Sequence, residues 1–357
     1  MNSVRSSSPA LAALTPYDPK YLPAEVMLSA NENSRDVPPE VRREIEHELR
    51  RLPLNRYPDP LANELRDLIA EANGLARNQV LMANGGDELL FNIALAWGGP
   101  GRTMVNLPPT FSVYEYNARL TGTNVVNIPR RDDFTIDEAA VLERVARGDV
   151  DYLVVTSPNN PTGDVPSEPF LAELLDATDA LVLVDEAYFE FSRFTMRPHL
   201  DRHKNLLILR TFSKAFSLAA VRMGYLLGDA DVVAEFTKVR QPYSVDAVSQ
   251  TIARVAYANR NKFSRGINEI IAERPRLIDG LSRIPGLTVF PSNANYVLVR
   301  LEGAGEVWER LYERGILVRD FSRAPYLENC LRITVGTPEE NDRLLVALSE
   351  ILSPGCA

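Results

Sequence analysis

Arg210-Thr211-Phe212-Ser213-Lys214-Ala215-Phe216 follows the apolar run Leu206-Leu207-Ile208-Leu209, and Arg222 comes eight residues after the lysine. A strand of the buried type thus delivers one lysine onto a hydroxyl-bearing loop, with a second cation close behind. An amine must be neutral to attack a carbonyl, and burial beside another cation lowers its pKa towards that state. The pattern suits a lysine condensed with a carbonyl cofactor, with hydroxyls and an arginine holding an anionic tail. A surface lysine after a strand is the other reading of this piece alone, and three further segments bear on the choice.

Leu181-Val182-Leu183-Val184-Asp185-Glu186-Ala187-Tyr188 reads as a strand buried on both faces of a parallel sheet, ending in carboxylates and a tyrosine. Open α/β sheets place their ligands at that end. A buried Asp185 needs a cationic partner, which a protonated pyridine nitrogen would supply; a helix N-cap is the alternative role. Tyr152-Leu153-Val154-Val155-Thr156-Ser157-Pro158-Asn159-Asn160-Pro161-Thr162-Gly163 runs a second such strand into a restricted loop that fixes the Asn160 amide, although Asn-Asn-Pro is also ordinary turn chemistry. Met82-Ala83-Asn84-Gly85-Gly86-Asp87 precedes an apolar helical run, so its free backbone amides form a phosphate seat or simply a capped helix start.

Together and in this order the four segments resemble the fold-type I pyridoxal-phosphate-dependent aminotransferases, most closely the histidinol-phosphate aminotransferase branch. The resemblance extends to Asn55-Arg56-Tyr57-Pro58-Asp59-Pro60, Pro108-Pro109-Thr110-Phe111, Asn293-Ala294-Asn295-Tyr296 and Cys330-Leu331-Arg332-Ile333-Thr334-Val335-Gly336. It implies an α/β fold: a large domain with a mostly parallel sheet covered by helices, plus a smaller α+β domain. It implies transamination between L-histidinol phosphate and 2-oxoglutarate, with an aromatic amino acid aminotransferase and, behind it, a threonine-phosphate-type decarboxylase as alternatives on the same core. A regulator that has dropped catalysis would carry an added DNA-binding module, and a nucleotide-binding protein would carry a glycine-rich phosphate loop; the sequence shows neither.

By resemblance, Lys214 forms the bond to pyridoxal 5'-phosphate and shuttles the proton, Asp185 keeps the pyridine nitrogen protonated, and Asn160 and Tyr188 contact the ring oxygen. Gly86, Asp87, Thr211, Ser213 and Arg222 would hold the phosphate, and Phe111 would stack on the ring. Tyr57 would cross from the neighbouring subunit of a homodimer, the alternative being an exposed tyrosine in a proline-rich turn. Arg319 and Arg332 match the branch's anion-binding arginines, with a rim salt bridge from Arg319 to Asp320 or Glu328 as the other reading. Tyr17, Asn31, Tyr114 and Tyr243 are expected to line the substrate.

The 357 residues, 45% apolar, exceed the usual length of one domain. A net charge of −9 argues against general nucleic-acid binding, which needs a basic footprint. No apolar run approaches the ~18 residues of a membrane span. Two cysteines, Cys330 and Cys356, imply no disulfide framework and fit a reducing cytoplasm. Three histidines lack metal-ligand spacing, so no metal is expected. Strands are predicted near 103–107, 124–128, 152–156, 181–185, 206–211 and 223–228. A helical region over 245–283, with Pro275 as a kink or break, precedes strands near 287–290, 295–301, 316–318 and 330–335 and a last helix at 338–352. The expected division is an N-terminal arm at 1–30 associated with the small domain, a large cofactor-binding domain at 31–240 and a small domain at 241–357.

Overall fold

The computed structural model describes Val4, Arg5, Leu11, Leu14 and residues 22–353. Twelve strands lie among them: β1 Val26–Leu28, β2 Val80–Asn84, β3 Thr103–Asn106, β4 Asn124–Asn127, β5 Tyr152–Thr156, β6 Leu181–Asp185, β7 Leu206–Thr211, β8 Met223–Gly228, β9 Thr288–Val289, β10 Tyr296–Arg300, β11 Ile316–Asp320 and β12 Cys330–Thr334. Seven form one sheet in the order β2-β8-β7-β6-β5-β3-β4. It is parallel from β7 through β4, while β8 runs antiparallel to both of its neighbours. Every residue of β5, β6, β7 and β8 is buried, the signature of a sheet covered on both faces, whereas the edge strand β4 exposes its two end asparagines and half-buries its two valines.

The other five strands form the sheet β1-β11-β12-β10-β9. Here only β1 is parallel to its neighbour, so a segment from the chain's start is an edge strand on a sheet built near its end. The strands read from sequence are found close to the predicted positions. The two strands before residue 100 were not anticipated: β1 is three residues long, and β2 ends in Ala83-Asn84, which reads as the lead into the following helix.

Helix ends follow local chemistry. Ser167 accepts from the Phe170 amide at the start of Glu168–Asp176, and Thr337 with Glu340 forms a reciprocal capping box at the start of Pro338–Leu352. The helical region over 245–283 divides at Arg260–Phe263, a single 3-10 turn between Ala247–Ala258 and Ser264–Ser282. Pro275 does not break the second helix, which continues through it although the Ile271 carbonyl loses its usual N–H donor there.

Candidate active site

Alternation along the strands decides which side chains reach the cleft. On β6, Asp185 lines the cavity, whereas the next residue, Glu186, is fully buried on the other side and pairs with Arg210 at 2.9 Å. On β7 the same period turns Arg210 away and Thr211 towards the cleft. The cavity at the carboxyl ends of β5, β6 and β7 measures about 840 Å³, within the range of small-molecule sites.

Lys214 stands half-buried on this cavity, and its Nζ donates to the Ala30 carbonyl at 2.9 Å. Burial, and then the nearby Arg332 cation, push its pKa down to about 8 against the pull of Glu32. Asp185 is 5% exposed and accepts from the Tyr114 hydroxyl at 2.7 Å and the Ala187 amide at 3.0 Å. Burial still pushes its pKa up to about 6, so two donors do not replace the solvation it has lost. A carboxylate in that state favours a cation in the cleft, which is what a protonated pyridine nitrogen provides.

The phosphate end is built from one strand end and one helix start. Thr211 Oγ1 donates to Ser213 Oγ at 3.0 Å, and Arg222 Nη1 donates to Ser213 Oγ at 3.4 Å and Nη2 to Asp87 at 2.8 Å. The helix Gly85–Trp97 opens beside them, presenting the first-turn amides of Gly86 and Asp87. Gly85 has a φ of 76°, and a side chain there would meet Arg222 Nη2 at 2.6 Å. Gly224 on β8 is equally constrained, because a Cβ would lie 2.7 Å from the Gly85 carbonyl carbon and 2.8 Å from the Gly86 nitrogen. Lysine, buried acid, hydroxyls, arginine and close-packed glycines together fit pyridoxal phosphate.

Phe111 lines the cleft edge-on to Tyr114, with ring centroids 5.6 Å apart. Tyr114, expected as a substrate-lining residue, is 3% exposed and its hydroxyl bridges Asp185 and Thr156. Asn160 accepts from Arg332 Nη1, and Arg332 Nη2 donates to the Ser29 carbonyl at 2.6 Å. Arg319 and Arg332 are cross-strand partners on β11 and β12 and both line the cavity. The Phe321 ring lies 6.0 Å and 5.7 Å from their guanidinium carbons. Asn31 is buried and hydrogen-bonds Tyr188 at 3.0 Å.

Tyr57 and Tyr243 lie elsewhere. Neither lines the cavity; they stack on each other at 4.6 Å and are 82% and 44% exposed. Tyr17 is outside the described residues. Sequence reasoning missed Thr156, Asn159 and Thr334. Asn159 is fully buried and ties Thr110, the Pro109 carbonyl and Thr162 together, fixing the loop that carries Asn160. Its position inside Ser157-Pro158-Asn159-Asn160 was the available signal. Among the described residues there is no metal-ligand cluster and no helix long and apolar enough to cross a membrane.

The profile of the family "Aminotransferase class I and II" matches residues 24–348. Histidinol-phosphate aminotransferase 1 of Carboxydothermus hydrogenoformans is 41% identical over 99% of this chain and 100% of its own. The histidinol-phosphate aminotransferase of Sinorhizobium meliloti, solved in complex with pyridoxal-5'-phosphate, superposes with a TM-score of 0.89 at 25% identity over 99% of each chain. The L-threonine-O-3-phosphate decarboxylase of Porphyromonas gingivalis gives 0.81 at 26% identity over 92% of this chain and 99% of its own. With the profile spanning both sheets and every element that carries the cleft, this chain belongs to the aminotransferase class I and II family.

Proposed function

We infer that the protein transfers an amino group between L-histidinol phosphate and 2-oxoglutarate, a step of histidine biosynthesis. Its cofactor is pyridoxal 5'-phosphate, which would supply a carbonyl carbon for the amino group and an electron sink for the carbanion. The observation that carries the substrate is the pair Arg319 and Arg332, side by side on one sheet and facing the cleft that holds Lys214. One substrate ends in a phosphate dianion and the other in carboxylates, and two converging guanidinium groups serve both.

In this reading Lys214, with its pKa near 8, is neutral in an appreciable fraction at physiological pH and acts as nucleophile and proton carrier at the substrate carbon. Asp185 balances the ring's cation, Asn160 and Tyr188 address its oxygen, and Phe111 covers one face. Gly86, Asp87, Thr211, Ser213 and Arg222 hold the cofactor phosphate. Tyr114 serves Asp185 as a positioning residue, since its hydroxyl already bridges that carboxylate to Thr156.

The working unit is a homodimer in the cytoplasm, with Tyr57 of each copy reaching the other's cofactor phosphate and Tyr243 beside it. Leu54, Tyr57, Tyr243 and Val248 are all exposed, and the Gln250 side chain ties the helix Ala247–Ala258 to the Asp59 carbonyl at 2.8 Å. That apolar surface around a tyrosine outside its own cleft supports a partner's approach. The chain divides into an arm at 1–30, a large unit at 31–240 and a small unit at 241–357.

A comparison of kcat/KM for histidinol phosphate, phenylalanine and tyrosine as donors to 2-oxoglutarate tests the substrate. Histidinol phosphate should lead by at least about tenfold, since a phosphate dianion gains more from two converging guanidinium groups than an aromatic side chain does. Faster turnover of phenylalanine or tyrosine would make the protein an aromatic aminotransferase, and CO₂ release without a keto acid would make it a decarboxylase.

A further inference from the structure

Asn31 belongs to the stretch before the first long helix and lies between the two sheets. It is 1% exposed and has a left-handed φ of 55°, so the fold holds it there at some cost. Its backbone amide donates to Thr334 Oγ1 at 3.0 Å, and its carbonyl accepts from the Asn295 side chain at 3.0 Å. The Thr334 oxygen therefore already receives a proton, and its own hydroxyl proton points at Asn31 Oδ1, 3.3 Å away. The Asn31 amide is oriented with Oδ1 towards Thr334 and Nδ2 towards the Tyr188 oxygen at 3.0 Å. A phenol oxygen that receives a proton from an NH₂ group turns its own proton elsewhere, and Tyr188 lines the cleft.

We propose that Asn31 and Thr334 are positioning residues that set the direction of the Tyr188 hydrogen bond, making Tyr188 a donor to the cofactor's ring oxygen. The inference rests on the pyridoxal-phosphate reading above. Thr334 ends β12 in the five-stranded sheet, whereas Tyr188 follows β6 in the seven-stranded sheet. The seating of one sheet against the other thereby tunes the proton affinity of the cofactor–lysine linkage. A donor stabilises the ring oxygen's negative charge most when that oxygen is not already sharing the linkage proton. Loss of the donor therefore raises the pH midpoint at which the linkage loses its proton.

The test is a pH titration of the yellow absorption band of the holoenzyme, in which Glu32, Asp87, Asp185, Arg222 and Arg332, the charged groups around Lys214 and the ring, are all retained. Thr334→Val removes the proton that holds Oδ1 and lets the amide turn its oxygen to Tyr188. The midpoint should rise by about 0.5–1 pH unit, the worth of one hydrogen bond. Thr334→Ser should restore the wild-type midpoint, and in a Tyr188→Phe background Thr334→Val should move nothing further. A folded, yellow Thr334→Val protein with an unshifted midpoint overturns the proposal and leaves the assigned function standing. If Thr334→Val does not fold, Asn31→Asp replaces it, because a carboxylate accepts the Tyr188 proton. Part of its upward shift should vanish in the Tyr188→Phe background, and an equal shift in both backgrounds refutes the coupling. A wild-type protein that stays colourless with pyridoxal phosphate removes the cofactor reading itself.

Discussion

Lys214 and Asp185 are held in opposite electrostatic discomfort, and each has a consequence at the residue scale. The lysine's pKa is lowered to about 8, so its neutral, reactive form grows as pH rises through that value. Stopped-flow mixing of cofactor-free protein with pyridoxal phosphate should show capture accelerating from pH 6 to about 9 and then levelling. A rate independent of pH across that window would contradict the assignment. The aspartate's pKa is raised to about 6, above its unfolded value, so the folded cofactor-free protein binds that proton more tightly than the unfolded chain does. Stability is present below about pH 4 and lost as pH rises through 6, to a limit of about 3 kcal/mol. Asp185→Asn should therefore raise the Tm of the cofactor-free protein at pH 8 and leave it nearly unchanged at pH 4. The same substitution should cut turnover at least about a thousandfold, several kcal/mol of barrier at 1.36 per decade. The strain belongs to the site, which the cofactor's cation relieves.

At the scale of elements, the phosphate seat depends on how closely β8 approaches the start of the helix Gly85–Trp97. A methyl group on Gly224 would press on backbone atoms of Gly85 and Gly86, which no side-chain movement relieves. Gly224→Ala should weaken cofactor binding about tenfold or more while leaving the circular dichroism spectrum unchanged, and equilibrium dialysis measures it. The central strands were legible because β5, β6 and β7 are buried on both faces and spell unbroken apolar runs. Asp185, Asn160 and Lys214 follow directly from them, being at or just beyond strand ends. What could not be read was contact across the chain. Nothing local says that Tyr114 reaches Asp185, that Glu186 pairs behind the sheet with Arg210, or that Thr334 holds Asn31. Those pairings depend on strand order and register, which periodicity does not encode. Pro275 failed as a break because a proline forfeits one hydrogen bond, and the helix Ser264–Ser282 still buries Ile270, Leu277 and Leu281.

For the whole molecule, the tyrosine that the sequence assigns to the cofactor phosphate lies outside its own cleft, stacked on Tyr243 and exposed. If Tyr57 acts across a dimer, two impaired proteins complement each other. Subunits carrying Tyr57→Ala and subunits carrying Lys214→Ala, unfolded and refolded together, should recover up to about a quarter of wild-type activity, from the one intact site in each mixed dimer. Activity no greater than the sum of the separate variants would place Tyr57 outside the partner's site. The most direct measurement of the central claim, a single ε-amine bonded to the cofactor, is borohydride reduction of the yellow protein followed by peptide mass spectrometry. The phosphopyridoxyl mass should appear on Lys214 and be lost with the yellow colour in Lys214→Arg. A label on another lysine, or a reduced protein with no added mass, would contradict it.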